Sequence, residues 1–199
     1  YAEINYGPWD RLANDSPFVA GVGPKPAGAG FCPPGLSAAA IDLAAAADPA
    51  LKSQYTVVVR DSAGRLAARP YHEIFAAPTA RAAAKLRAAA ALADDPGLKR
   101  YLTLRAQALE SDDYRASDMA WLDMKNNTLD IVVGPIESYE DGLLGVKAAH
   151  EAYVLIKDRE WSARLARDSA MRSARQRGLP VTEEFKREKP GTDSDLNAD

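Results

Sequence analysis

Strand-like and helix-like stretches follow one another in mixed order along this chain, which predicts an α+β fold in which helices pack with a small mixed or antiparallel sheet. Two observations carry that reading. Tyr55 to Arg60 is a continuous run rich in β-branched residues, followed by the turn Asp61-Ser62-Ala63-Gly64. From Tyr71 onward, alanine and leucine recur at helical spacing. The 199 residues suffice for one core or two small ones, and 47% hydrophobic with 27% charged residues is ordinary for a globular domain.

The first 35 residues hold twelve of the 26 Gly and Pro residues, so regular helix or central strand is excluded there. Ile4, Tyr6, Trp9 and Phe18 are too apolar for a disordered linker, which predicts an irregular but ordered arm lying across something larger. Ser37 is placed to cap an alanine-rich helix ending near Ala47, where Asp48-Pro49 stops it. Tyr55–Arg60 and Arg65–Tyr71 then form a hairpin. A helix follows through Ala82, Leu86, Ala89 and Ala93, with Pro78 tolerated in its first turn, until Asp95-Pro96-Gly97 breaks it. A second helix carries Leu98, Leu102, Leu104 or Arg105, and Leu109 on one side. A third, from Asp112 to Lys125, is expected to bury Tyr114, Met119 and Trp121 or Leu122, and Asn126-Asn127 ends it. Leu129 to Ile136 reads as a strand with a bulge or edge at Gly134-Pro135. Residues 147–157 read either as a helix end or, through Tyr153-Val154-Leu155-Ile156, as a strand. Arg159 to Arg177 is an amphipathic helix closed by Gly178 and Pro180, before a polar tail.

Several functional classes recede at once. A net charge of −3, with bases interleaved among acids as in Lys157-Asp158-Arg159-Glu160, is no phosphate-binding stripe, so no nucleic-acid partner is expected. No run approaches the roughly 20 apolar residues of a membrane span, and no signal peptide is visible. Cys32 is the one cysteine, which excludes an intrachain disulfide and a cysteine-based metal site. The chain begins at Tyr1 without methionine, so a trimmed or partial chain is expected, and the sequence does not choose between cytoplasm and periplasm.

Three sets of residues could carry chemistry. His72-Glu73 and His150-Glu151 each begin a H-E-x-x-H pattern, but neither has the second histidine, so no complete metal site is expected within the chain. A metal held jointly by His72 and His150, serving a small-molecule hydrolase, is the weaker form of that idea. Serines are plentiful, but there is no G-x-S-x-G elbow. Glu137 and Tyr139 stand two apart, so on an extended segment they would face the same way, a carboxylate to hold an ammonium and a phenol to donate to a carbonyl. The alternative is a solvated polar turn, Glu-Ser-Tyr-Glu-Asp-Gly.

The string GPIESYEDGLLGVKAAHEAYVLIKD resembles a segment of the dipeptidyl peptidase III family of zinc metallopeptidases, most closely its bacterial branch. INYGPWDR, GVGPKPAGAGF, LKSQYTVVVRDSAGRL, PYHEIF, DMAWLDMKNNTLDIVVGPIESYED and GTDSDLN fit the same branch and span nearly the whole chain in order. The resemblance implies a two-lobed fold with a cleft, one lobe helical and zinc-bearing, the other containing a small β-barrel that helps bind peptide. It implies that zinc is held by a H-E-x-x-x-H helix and a further Glu, both beyond Asp199, so that none is bound by this chain alone. By resemblance Glu137 binds the substrate's N-terminal ammonium, and Tyr139 hydrogen-bonds the peptide near the scissile carbonyl and supports the transition state. It also implies that Lys147 to Ile156 is a strand paired with Leu129 to Ile136, and that His150 replaces an aromatic ring in a core or half-buried position.

The expected organisation is therefore a Gly/Pro-rich ordered arm over 1–36, an α+β substrate-binding portion over 37–182, and a polar tail or linker over 183–199 toward a missing catalytic region. The expected function is the substrate-binding part of a zinc-dependent dipeptidyl peptidase, inactive by itself, with a peptide substrate and the remaining C-terminal part of the same enzyme as partners. The rival is a non-catalytic peptide- or partner-binding module derived from that family. An arm and tail built to pack against absent structure would also leave apolar surface open to self-association.

Overall fold

The computed structural model describes residues 1–186 except Tyr6 and Asn126. Its described residues form an α+β arrangement of seven α-helices and three two-stranded sheets. Each strand has one partner, so the ladders end after two strands and no barrel closes among these residues. The chain divides into two compact units, Tyr1–Ala77 with Gly134–Glu151, and Pro78–Val133 with Ala152–Asp199.

The first unit opens with the arm. Strand β1 (Trp9–Asp10) pairs antiparallel with β2 (Ser16–Pro17), a short ladder inside a segment read as irregular. The Asp10 carboxylate accepts from Leu12 N at 3.0 Å, and Trp9 Nε1 donates to Gly23 O at 2.8 Å, so the arm is tied by side-chain to backbone bonds. Helix α1 (Ala38–Ala45) starts as expected at Ser37, whose hydroxyl accepts from Ala40 N at 3.2 Å. Strands β3 (Thr56–Arg60) and β4 (Leu66–Pro70) make the expected antiparallel hairpin, Thr56 opposite Pro70 and Arg60 opposite Leu66. Its turn is closed by Asp61, which accepts from Ala63 N and Arg65 N at 2.9 Å each, while Gly64 takes φ +78°. Cys32, Ile41, Leu51 and Val58 form the buried cluster of this unit.

The helix expected from Tyr71 is two helices, α2 (Tyr71–Ile74) and α3 (Ala76–Leu92). Pro78 has no N–H to return to the preceding turn, so the chain breaks at Phe75 and restarts with proline inside the first turn. In the second unit, Asp95 caps α4 (Pro96–Leu109) by accepting from Leu98 N at 2.7 Å. The buried side of α4 carries Leu98, Leu102, Arg105 and Leu109, so Arg105 and not Leu104 holds the inward position. Its guanidinium pairs with Asp118 and lies 5.3 Å from the ring centre of Tyr101 and 5.2 Å from that of Tyr114. Helix α5 (Arg115–Asp123) packs on α4 through Tyr114, Ser117 and Ala120, spaced three apart. Met119, expected inside, is 51% exposed, and of the alternatives Trp121 and Leu122 it is Trp121 that packs against the buried cluster, while Leu122 stays 39% exposed.

Strand β5 (Leu129–Glu137) pairs with β6 (Ala149–Ile156), which settles residues 149–156 as strand. Gly134 takes φ +135°, a conformation open to glycine, at the place read as a bulge. The amphipathic stretch from Arg159 is divided into α6 (Arg159–Ala170) and α7 (Arg172–Arg177). Met171 N donates to Asp168 O at 3.1 Å, a tightened i→i−3 turn that ends α6. Of the expected tail, Glu183–Lys186 is a single 3₁₀ turn, and 187–199, with the GTDSDLN string, lies outside the described residues.

Candidate functional site

The connection between β5 and β6 is organised by two buried charged side chains. Asp141 accepts four backbone N–H groups, from Leu143 at 3.1 Å, Leu144 at 3.0 Å, Val146 at 3.1 Å and Lys147 at 3.0 Å. A carboxylate followed by glycine favours this local closure, since it reaches the backbone ahead of it and Gly142 leaves room. Lys147 is fully buried, and its ammonium donates to Leu51 O and Ser53 O at 2.7 Å each and to Thr56 Oγ1 at 2.8 Å. Those three oxygens anchor the connection to the hairpin's base. Burial pulls the Lys147 ammonium below the ordinary lysine value, while the negative sides of Cys32 and Asp141 pull the other way. Burial and Asp141 push the Cys32 thiol up, more than Lys147 lowers it, so Cys32 is a packed thiol and not an activated nucleophile.

On this frame stand the residues singled out in the sequence. Strand β5 ends at Glu137, whose side chain is exposed and has no hydrogen-bond or ion-pair partner among the described residues. Tyr139 lies in the following turn, where Asp141 N donates to Ser138 O at 3.1 Å, so the strand alternation that would face it with Glu137 does not extend to it. Its phenol donates instead to Glu151 Oε1 at 2.7 Å, and the Arg11 guanidinium lies over its ring, 5.3 Å from the centre. The hydrogen bond to Glu151 raises the phenol's pKa, and Arg11 partly opposes it.

Glu140, the next residue, is held by the arm. Lys25 donates to Glu140 Oε2 at 2.9 Å and to Asp15 Oδ1 at 3.2 Å, and Arg11 pairs with the other Glu140 oxygen. Burial lowers the Lys25 ammonium's pKa, but its bonds to Glu140 and Asp15 outweigh this and hold it above the ordinary value. A cavity of about 370 Å³ opens beside this network, lined by Trp9, Lys25, Phe31, Glu140 and His150 among others. His150 is solvent-exposed, not core or half-buried as expected, yet its ring lies tilted 5.4 Å from that of Tyr71 and edge-on 5.9 Å from that of Phe75. It therefore keeps an aromatic partner's place at the edge of the unit. Among the described residues no group of three His, Cys, Asp or Glu side chains could hold a metal ion.

Arg11, Lys25, Asp141 and Lys147 were absent from the sequence-derived candidates, and Glu151 stood among them only as the neighbour of His150 in the His-Glu pair. Asp141 carried a readable signal, aspartate before glycine in a loop. Lys25 and Glu140 are 115 residues apart, and no local pattern connects them.

Comparison with known proteins follows the same lines. The chain superposes on dipeptidyl-peptidase III from Caldithrix abyssi with a TM-score of 0.89 and 39% identity, over 96% of its own length and 37% of that chain. It matches dipeptidyl-peptidase III from Corallococcus sp. strain EGB at TM-score 0.77 and 35% identity, over 89% of its length and 34% of that chain. Nudix hydrolase 3 from Arabidopsis thaliana is 39% identical over 105 residues, 53% of this chain and 14% of that protein. No family model matches the chain. It thus spans about a third of the two solved enzymes and about a seventh of the plant protein. In sequence and in fold, this chain matches an N-terminal portion of the dipeptidyl-peptidase III family.

Proposed function

We propose that this chain is the peptide-binding part of a zinc-dependent dipeptidyl peptidase, which removes dipeptides from the free N-terminus of peptides. The observation that carries the reading is the match to two dipeptidyl-peptidase III structures over 96% and 89% of the chain. An exposed carboxylate at a strand end, Glu137, offers its oxygens to the substrate's ammonium as a charge-assisted hydrogen bond. Tyr139 supplies an O–H that can be redirected to a peptide carbonyl near the bond to be cut. Among the described residues no group of three His, Cys, Asp or Glu side chains fits a zinc ion, and in this reading the metal is supplied by the remaining part of the same enzyme. The chain by itself binds peptide without hydrolysing it.

The complete protein tests this with a dipeptidyl arylamide and its N-acetylated counterpart. The free-amine substrate is hydrolysed and the acetylated one is not. Glu137→Gln raises KM by about ten- to a hundredfold, the loss of one hydrogen bond to a charged group. Peptide affinity unchanged in Glu137→Gln sinks the ammonium contact. Metal-free complete protein that binds peptide without cutting it would instead support the peptide- or partner-binding module. Metal bound by the 199-residue chain and lost in His72→Ala and His150→Ala would favour the small-molecule hydrolase.

A further inference from the structure

Tyr139 is 57% exposed and sits in a turn, so its own backbone element does not fix the phenol. Two side chains far away in sequence do. Glu151, 8% exposed on β6, accepts the phenol O–H at 2.7 Å. His150 turns toward Tyr71 and Phe75, so its neighbour Glu151 faces the opposite side of the strand and meets Tyr139. Arg11 covers the ring and is itself paired with Glu140, which Lys25 also grips at 2.9 Å. An ionised carboxylate offers only acceptor positions, so the phenol must be the donor.

We propose that Glu151 is the positioning residue of Tyr139, holding the exposed phenol protonated in one orientation while Arg11 braces the ring. The charged groups facing Tyr139 are Glu151 from β6 and Arg11 from the arm, and Glu140 beside it is engaged by Arg11 and Lys25. Glu151 opposes formation of a phenolate and Arg11 favours it. An arriving peptide carbonyl must compete with Glu151 for the single phenol proton. Tyr139 is thus oriented in advance but released only by a ligand that replaces this contact. The role in binding rests on the reading of Tyr139 proposed above, whereas the phenol can be titrated with no peptide present, so the two can fail separately.

The experiment labels the tyrosines with ¹³C at Cζ, assigns Tyr139 by its loss in Tyr139→Phe, and follows its signal with pH. In the wild type its midpoint lies above the ordinary tyrosine value of about 10. Glu151→Gln, which keeps size and an acceptor but loses the charge, lowers that midpoint, and Arg11→Met raises it. A wild-type midpoint at the ordinary value overturns the proposal without any variant needing to fold. So does a midpoint identical in folded Glu151→Gln.

Discussion

A lysine with no exposed surface must find oxygens for its ammonium, and Lys147 finds three. Lys147→Met keeps the stem but leaves Leu51 O and Ser53 O without this donor, and unfolding free energy should fall by about 3 kcal/mol in urea titrations. The same contact is pH-dependent. Because burial depresses the folded-state pKa of Lys147, the unfolded chain holds the proton more tightly between that value and the ordinary lysine value. Stability therefore grows with rising pH across this window and is lost as pH falls through it. The gap in unfolding free energy between wild type and Lys147→Met should widen as pH climbs toward the lysine range. Asp141 is the matching acceptor, and Asp141→Ala, which strips four N–H groups of their oxygen partners, should cost about 3 kcal/mol or more, against less for Asp141→Asn.

At the scale of elements, termini were easier to read than inner faces. Ser37 caps the helix that the sequence assigned to it, and Asp95, read only as part of a break, caps the helix that follows, because a cap is a contact within three residues. Asp95→Ala should lower stability by about 1 kcal/mol in thermal or chemical unfolding. It should also weaken amide protection first at Leu98 and the residues around it. Faces depend on a partner. Tyr114, Ser117 and Ala120 are buried and Trp121 packs on the core cluster, while Met119 stays outside, so hydrophobicity alone misplaces that methionine. Arg105 on α4 occupies a buried position because two tyrosine rings and Asp118 surround its guanidinium. The division of the helix at Phe75 follows from the sequence once Pro78 is counted as a start signal as well as a tolerated residue.

For the whole molecule, the decisive fact is that each compact unit is built from two separate stretches of chain. In the first unit, Lys147 and Ala148 bond back to Leu51, Ser53 and Gln54, the last through Ala148 N to Gln54 O at 3.1 Å. A fragment of residues 1–77 therefore lacks the segment that satisfies its buried carbonyls. Its amide NMR spectrum should be poorly dispersed and become native-like only when the 134–151 stretch is covalently present. A well-dispersed spectrum for 1–77 alone would show that this unit does not need its second stretch. The peptide-binding proposal belongs to this scale too, since Glu137 and Tyr139 come from the second stretch and Arg11 from the first.

Local chemistry was enough for the α+β class, the β3–β4 hairpin with its Asp61 turn, the helix start capped by Ser37 and the motif strings that pointed to the dipeptidyl-peptidase III family. All of these depend on neighbours close in the chain or on strings of residues read directly. Glu137 and Tyr139 could also be singled out from the string, but their surroundings could not. Their spacing suggested a shared strand face, whereas β5 ends at Glu137 and the phenol turns to Glu151. Only the tertiary structure joined Arg11 and Lys25 to Glu140, and Lys147 to the hairpin base. Contacts of charged side chains with partners 90 residues or more away leave no periodicity or local spacing in a sequence. They form because burial forces each charge to find a partner, and the fold decides which partners are within reach.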